Sequence, residues 1–100
     1  MAALADYTNV YDTALGILVK KGYQLWYVES TKTYWAERNG WDFASDSPVG
    51  LLGVVAIFDF HAPSEWSEYW WQMPPSGLYR NLPAHPSKPY VPVFPQKGTS

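Results

Sequence analysis

The first pattern along the chain is an apolar stripe at helical spacing. Apolar residues recur at intervals of three and four from Tyr7 to Leu18, and polar residues fill the opposite side. This spacing predicts an amphipathic helix over residues 7–21. Gly22 follows, and it supplies the left-handed backbone that commonly ends a helix.

Three short segments rich in aromatic and branched residues come next, as is typical of strands. They cover residues 23–29, 34–38 and 41–44. Asn39 and Gly40 separate the second from the third, and this pair is a strong hairpin signal because a type I′ turn needs two positive φ angles. The pattern predicts a three-stranded antiparallel meander.

The turn lengths decide which side chains share a face of this meander. A two-residue turn at Asn39-Gly40 places Ala36 opposite Phe43. If residues 31–32 also form a two-residue turn, Trp26 and Trp35 lie together on the other face, away from the helices. A one-residue change in turn length would swap the two faces.

The segment 49–60 is almost entirely apolar, and periodicity alone fits a buried helix or a buried strand. Ser47 followed by Pro48 is a helix-start signature, and it favours the helix. A further short helix is predicted to begin at Ser64 and to end at the prolines 74–75.

The carboxy-terminal part is rich in proline. Seven of the nine prolines lie after residue 73, and five recur at every third position from Pro83 to Pro95. Since polyproline II has three residues per turn, this spacing predicts an extended rod. The rod residues predicted to bind a partner are Pro83, Pro86, Pro89, Tyr90, Pro92 and Phe94.

These patterns together predict an α+β fold. It has an N-terminal helix, a three-stranded antiparallel meander, one or two further helices, and an extended proline-rich C-terminal tail. We expect a body over residues 1–73 and a tail over residues 74–100, docked on that body or on a second copy. Residues 1–73 carry a net charge of −5 and residues 74–100 carry +3, which favours such docking.

Aromatic content suggests a binding role. Six tryptophans, eight tyrosines and four phenylalanines exceed what one small core buries, and tryptophan and tyrosine concentrate at interfaces. We expect Trp41 and Trp66 in the core. The predicted aromatic binding surface consists of Trp26, Trp35, Tyr69, Trp70 and Trp71.

Composition narrows the classes of function. A formal charge of −2 argues against nucleic-acid binding, and the absence of cysteine excludes disulfides and thiolate zinc sites. The longest uncharged apolar run is too short to cross a membrane, and the first residues lead us to expect no targeting segment. We expect a cytoplasmic location and no cofactor, metal, nucleic-acid or membrane partner.

The candidates for catalytic chemistry are few. His61 and His85 are the only imidazoles, and the spacing of His61 from Asp59 separates the two side chains on a helix. Glu37 and Asp42 lie opposite each other on the predicted hairpin, where paired acids most often only solvate a surface. We predict no catalytic residue.

The sequence therefore favours a non-enzymatic protein-interaction module that associates with itself as a homodimer, or with another protein. Its contacts are the aromatic surface and the polyproline tail. One alternative is a small-ligand or carbohydrate-binding domain that uses a tryptophan cluster. A second alternative is a small hydrolase-like enzyme that uses His61.

Overall fold

The computed structural model describes residues 4–93. The described chain forms two compact units, of which one is Ala5–Gln72 and the other contains Leu4 and residues 73–93. The unit Ala5–Gln72 is called the body below. It contains every strand of the described chain and its two longer helices.

The first helix forms where the apolar stripe predicts it, although its start differs. Residues Thr8–Val10 form a 3₁₀ turn, and the α-helix α1 covers Tyr11–Lys20. Gly22 adopts the left-handed backbone (φ +94°), which ends the helix and turns the chain into the sheet.

The predicted meander is confirmed, with strands β1 Gln24–Val28, β2 Thr33–Arg38 and β3 Trp41–Ser45 in the order β1-β2-β3. Asn39 and Gly40 both have positive φ, as a type I′ turn requires. The turn between β1 and β2 covers residues 29–32 and is longer than the two-residue turn considered at 31–32, because Val28 pairs with Thr33. The register shifts by two residues, and a shift of two preserves the face of every side chain.

The segment 49–60 is a helix, as its start signature predicts. Helix α2 covers Pro48–His61, and the Ser47 hydroxyl accepts a hydrogen bond from the Gly50 amide at 2.9 Å. Ala62 in the left-handed conformation ends it. The two long helices pack together and against one face of the sheet.

The core lies between this helical layer and the sheet. Leu18 of α1 and Leu51 and Val55 of α2 are fully buried, and they pack against Ala36 and Phe43 of the sheet. The pairing of Ala36 with Phe43 confirms which sheet face points inward. At the edge of this layer, Lys21 and Asp59 form a salt bridge of 2.7 Å between the ends of the two helices.

The short helix predicted from Ser64 is wrong. The chain forms turns there, with Tyr69 left-handed (φ +57°) and the Trp70 amide donating to the Ser67 carbonyl. A helix this short needs tertiary packing to persist, and here only Trp70 packs against the core cluster. A different short helix, α3, covers Leu78–Asn81.

Two predictions about individual tryptophans have different outcomes. Trp41 is half-buried and packs against the core cluster, as predicted. Trp66 is 70% exposed, so its assignment to the core is wrong. Trp70 packs there instead, because the turn at Tyr69 directs the chain differently from the helical spacing on which the prediction depended.

Candidate functional site

One face of the sheet points away from the helices, and we call it the open face. It is defined by the register, which places these side chains opposite to the buried row of Ala36 and Phe43. Its members are Gln24, Trp26, Val28, Thr33, Trp35, Glu37, Asp42 and Ala44. All eight are half-buried or exposed.

A pair of tryptophans lies at the centre of the open face. Trp26 and Trp35 are direct partners on neighbouring strands, and their ring centroids are 6.0 Å apart with only 4° between the ring planes. Trp26 keeps 43% of its surface exposed. The alternation of side chains along β1 and β2 predicts this pair, and the structure brings the two residues together.

Glu37 is fixed in place beside the tryptophans. One carboxylate oxygen accepts a hydrogen bond from Gln24 Nε2 at 2.6 Å, and the other accepts from the Gly40 amide at 2.8 Å. These two hydrogen bonds, the one from Gln24 first, lower the pKa of the Glu37 carboxyl below its usual range. Glu37 is therefore ionised at neutral pH.

A second carboxylate lies directly opposite. Asp42 pairs with Glu37 across β2 and β3, and its side chain is exposed. Like charges at this position repel each other, and the open face of the described strands carries no lysine or arginine to compensate them. The open face thus combines flat aromatic rings with an acidic end that favours an external cation.

A groove at the margin of the hairpin β1–β2 is a second feature, and Trp26 and Trp35 of the open face belong to its lining. This open groove of about 200 Å³ lies where α1 and α2 meet this end of the sheet. Tyr27 and Tyr34 pack at its margin with ring centroids 4.6 Å apart, and burial raises the pKa of the Tyr27 hydroxyl. The groove is lined by Leu15, Leu25, Trp26, Tyr27, Tyr34, Trp35 and Leu51.

Sequence reasoning missed this groove. Its residues come from four separate elements, α1, β1, β2 and α2, and apart from the open-face pair Trp26 and Trp35 they have the ordinary pattern of core residues. The only signal in the sequence is the alternation of Leu25 and Tyr27 along one strand. That alternation predicts a shared face and says nothing about unfilled space.

The other predicted aromatic residues lie apart from the tryptophan pair. Trp70 contacts Trp41 and Phe58 edge-on, at centroid distances of 5.6 and 5.8 Å. Tyr69 and Trp71 contact each other at 5.9 Å, and both are exposed. The ring contacts of the described residues therefore form separate groups and not one continuous surface.

The proline-rich segment is described as far as Val93. The chain bends at residues 84–85 and 87–88, between Pro83 and Pro86 and between Pro86 and Pro89. These bends interrupt the straight rod that the proline spacing predicts. Tyr90 is exposed, and Phe94, the last predicted contact of the tail, lies outside the described residues.

The contacts of His61 are aromatic. Its ring meets Phe60 at 5.2 Å and Trp70 at 6.1 Å, both edge-on. Asp59, the carboxylate nearest in sequence, forms its ion pair with Lys21. Within residues 4–93, no three side chains of His, Asp or Glu are grouped so that they could hold a metal ion.

In comparisons with known proteins, no protein family, curated protein or solved structure matches this chain. Among residues 4–93, no helix has the length and apolar character needed to cross a bilayer.

Proposed function

We propose that this chain is a non-enzymatic protein-interaction module that associates with itself. The open face binds an extended segment that contains proline and a basic residue, and the proline-rich tail of another copy supplies such a segment. The observation that carries this proposal is the parallel pair Trp26–Trp35 on the open face, beside the carboxylates Glu37 and Asp42.

The chemistry of the open face supports this ligand class. Proline rings pack on flat aromatic rings, and extended proline segments bind with a low entropic cost because they are stiff before binding. Domains that bind such segments combine aromatic grooves with selective polar contacts. Here Trp26 and Trp35 supply the rings, and the two carboxylates supply the charge.

The size of the open face favours reciprocal binding. A segment that crosses two tryptophans covers much less than the roughly 800 Å² per partner of a standard stable interface. If each copy both gives its tail and receives the tail of its partner, the contact area doubles and the assembly closes as a two-fold dimer. The exposed rings of Tyr69 and Trp71 remain proposed additional contacts.

The test compares full-length variants by sedimentation equilibrium. We expect a wild-type dimer, and we expect Trp26→Ala and Trp35→Ala to shift it towards monomer by at least tenfold in dissociation constant. Trp66→Ala is the matched control, since Trp66 is an exposed tryptophan outside the open face. A wild-type chain that stays monomeric at millimolar concentration would contradict the proposal.

Cell fractionation tests the cytoplasmic location, which belongs to the same proposal.

The groove beside Tyr27 and Tyr34 favours one second candidate, a binding domain for a small apolar ligand. An apolar cavity of about 150 Å³ holds one benzene ring, so a groove of this size accommodates one aromatic ring. Titration with indole, followed through the methyl NMR signals of Leu15 and Leu51, tests it. Saturable shifts support this candidate, and linear or absent shifts exclude it.

A further inference from the structure

We infer that Lys88 of a second copy is the residue that the acidic end of the open face recognises. This inference rests on the proposed function and adds the partner and the contact that selects it. Pro86, two residues before Lys88, then supplies the ring that packs on Trp26 and Trp35.

The charges of the open face and of the tail are complementary. Glu37 and Asp42 are direct cross-strand partners, and no basic side chain lies among the open-face residues of the three strands. A cation that arrives from outside is attracted by both carboxylates, and no basic side chain of the open face competes with it. Residues 74–100 contain three basic residues and no acid, so every charge in that part of the sequence is of the required sign.

Position selects Lys88 among these basic residues. Arg80 lies in α3, before the proline repeat begins. Lys97 follows Pro95, the last proline of the repeat. Lys88 lies inside the repeat, two residues after Pro86 and one before Pro89.

The spacing of Pro86 and Lys88 in the tail matches the spacing of Trp35 and Glu37 on the open face. Trp35 and Glu37 are two residues apart on the same face of β2, which is about 6.6 Å along a strand. Pro86 and Lys88 are also two residues apart, which is about 6 Å once the bend at residues 87–88 straightens into an extended segment on the open face. With Lys88 at the carboxylates, Pro86 therefore lies level with the tryptophan pair.

Exchange of the two charges tests the contact in the full-length chain. Asp42 is the residue to change on the open face, since its side chain is exposed whereas Glu37 also holds the hairpin turn. We expect Asp42→Lys and Lys88→Glu, each alone, to weaken the dimer roughly tenfold at low salt, because Asp42→Lys removes the net negative charge of the acidic end and Lys88→Glu turns the attraction into a repulsion, in both contacts of the dimer. Lys20→Glu, which changes an exposed base of α1, is the control for net charge.

A mixture of the two variant chains distinguishes binding between copies from binding within one copy. An equimolar mixture of Asp42→Lys chains and Lys88→Glu chains restores one of the two contacts in the heterodimer with its charges exchanged, and it leaves the other contact as in the wild type, so association stronger than that of either variant alone returns. If only the double variant regains wild-type behaviour while the mixture does not, the tail binds its own body and the inference is overturned. If neither regains it, Lys88 is not the residue recognised.

The same measurements test the proposed function separately from the role of Lys88. If Trp26→Ala dissociates the dimer while both charge variants behave like Lys20→Glu, the open face is an interface and Lys88 has no part in it. If the wild-type chain is a monomer, both proposals fail. Circular dichroism of each variant establishes that the fold is intact before association is compared.

Discussion

The two faces of the sheet use aromatic residues for different purposes. On the inner face, Tyr23 and Phe43 meet edge-on at 6.0 Å, and both are buried against Leu18 and the second helix. On the open face, Trp26 and Trp35 lie parallel and partly exposed. The comparison teaches that burial, and not ring content, separates the residues that stabilise this fold from those available to bind.

The largest expected loss of stability follows a substitution in the buried layer between the helices and the sheet. Leu51 is fully buried, so Leu51→Ala leaves a cavity and should lower the free energy of unfolding by about 2–5 kcal/mol. Trp26→Ala, which removes a much larger side chain from the open face, should cost only about 0.5–1.5 kcal/mol. Urea denaturation of both variants measures the two values. Equal losses would mean that the open face is part of the core.

An intermediate effect distinguishes the packed side of α2 from its outer side. A Cβ at Gly50 would collide with the Ser45 hydroxyl, whereas a Cβ at Gly53 meets open space. Gly53→Ala should stabilise the body by about 0.5–1 kcal/mol through helix propensity. Gly50→Ala should be about 1–2 kcal/mol less stable than Gly53→Ala, since Ser45 must move and lose its hydrogen bond from the Ser47 amide.

Thermal melting of this matched pair in one buffer is sufficient to compare them. The prediction fails if Gly50→Ala is as stable as Gly53→Ala, because α2 would then not pack closely on the end of β3.

The smallest expected effect is the pH response of the open face. The pKa of Glu37 is lowered in the folded chain, so its hydrogen bonds contribute fully above the ordinary glutamate pKa. Their contribution is lost as the pH falls through the lowered folded value. The amide NMR signal of Gly40 should therefore titrate below the ordinary glutamate range, and it should cease to do so in Glu37→Gln. A midpoint at the ordinary value would show that the carboxylate is not held.

Local signals in the sequence determine most of the fold. Asn39-Gly40 sets the register of the second hairpin, and Ser47-Pro48 starts α2, because both act through the backbone of adjacent residues. The helix predicted to begin at Ser64 does not form, for the opposite reason. It had no packed apolar face to support a helix, and the packing of Trp70 is a long-range contact that local spacing does not encode.

The candidate site was predictable to a similar extent. Alternation along the strands predicts that Trp26 and Trp35 share a face, and the register predicts that Glu37 lies opposite Asp42. The hydrogen bonds that fix Glu37, and the groove between the helices and the hairpin, depend on distances between separate segments. No periodic pattern in a single sequence contains those distances.

The strand order has a consequence for the lifetime of the native hydrogen bonds. Only β2 has a hydrogen-bonded strand on both sides among the described residues, so its amide protons should be the last of the sheet to exchange with deuterated water. Trp35 and Glu37 lie on that strand. The backbone that carries Trp35 and Glu37 is therefore the part of the sheet that we expect to open least often when the outer strands fray.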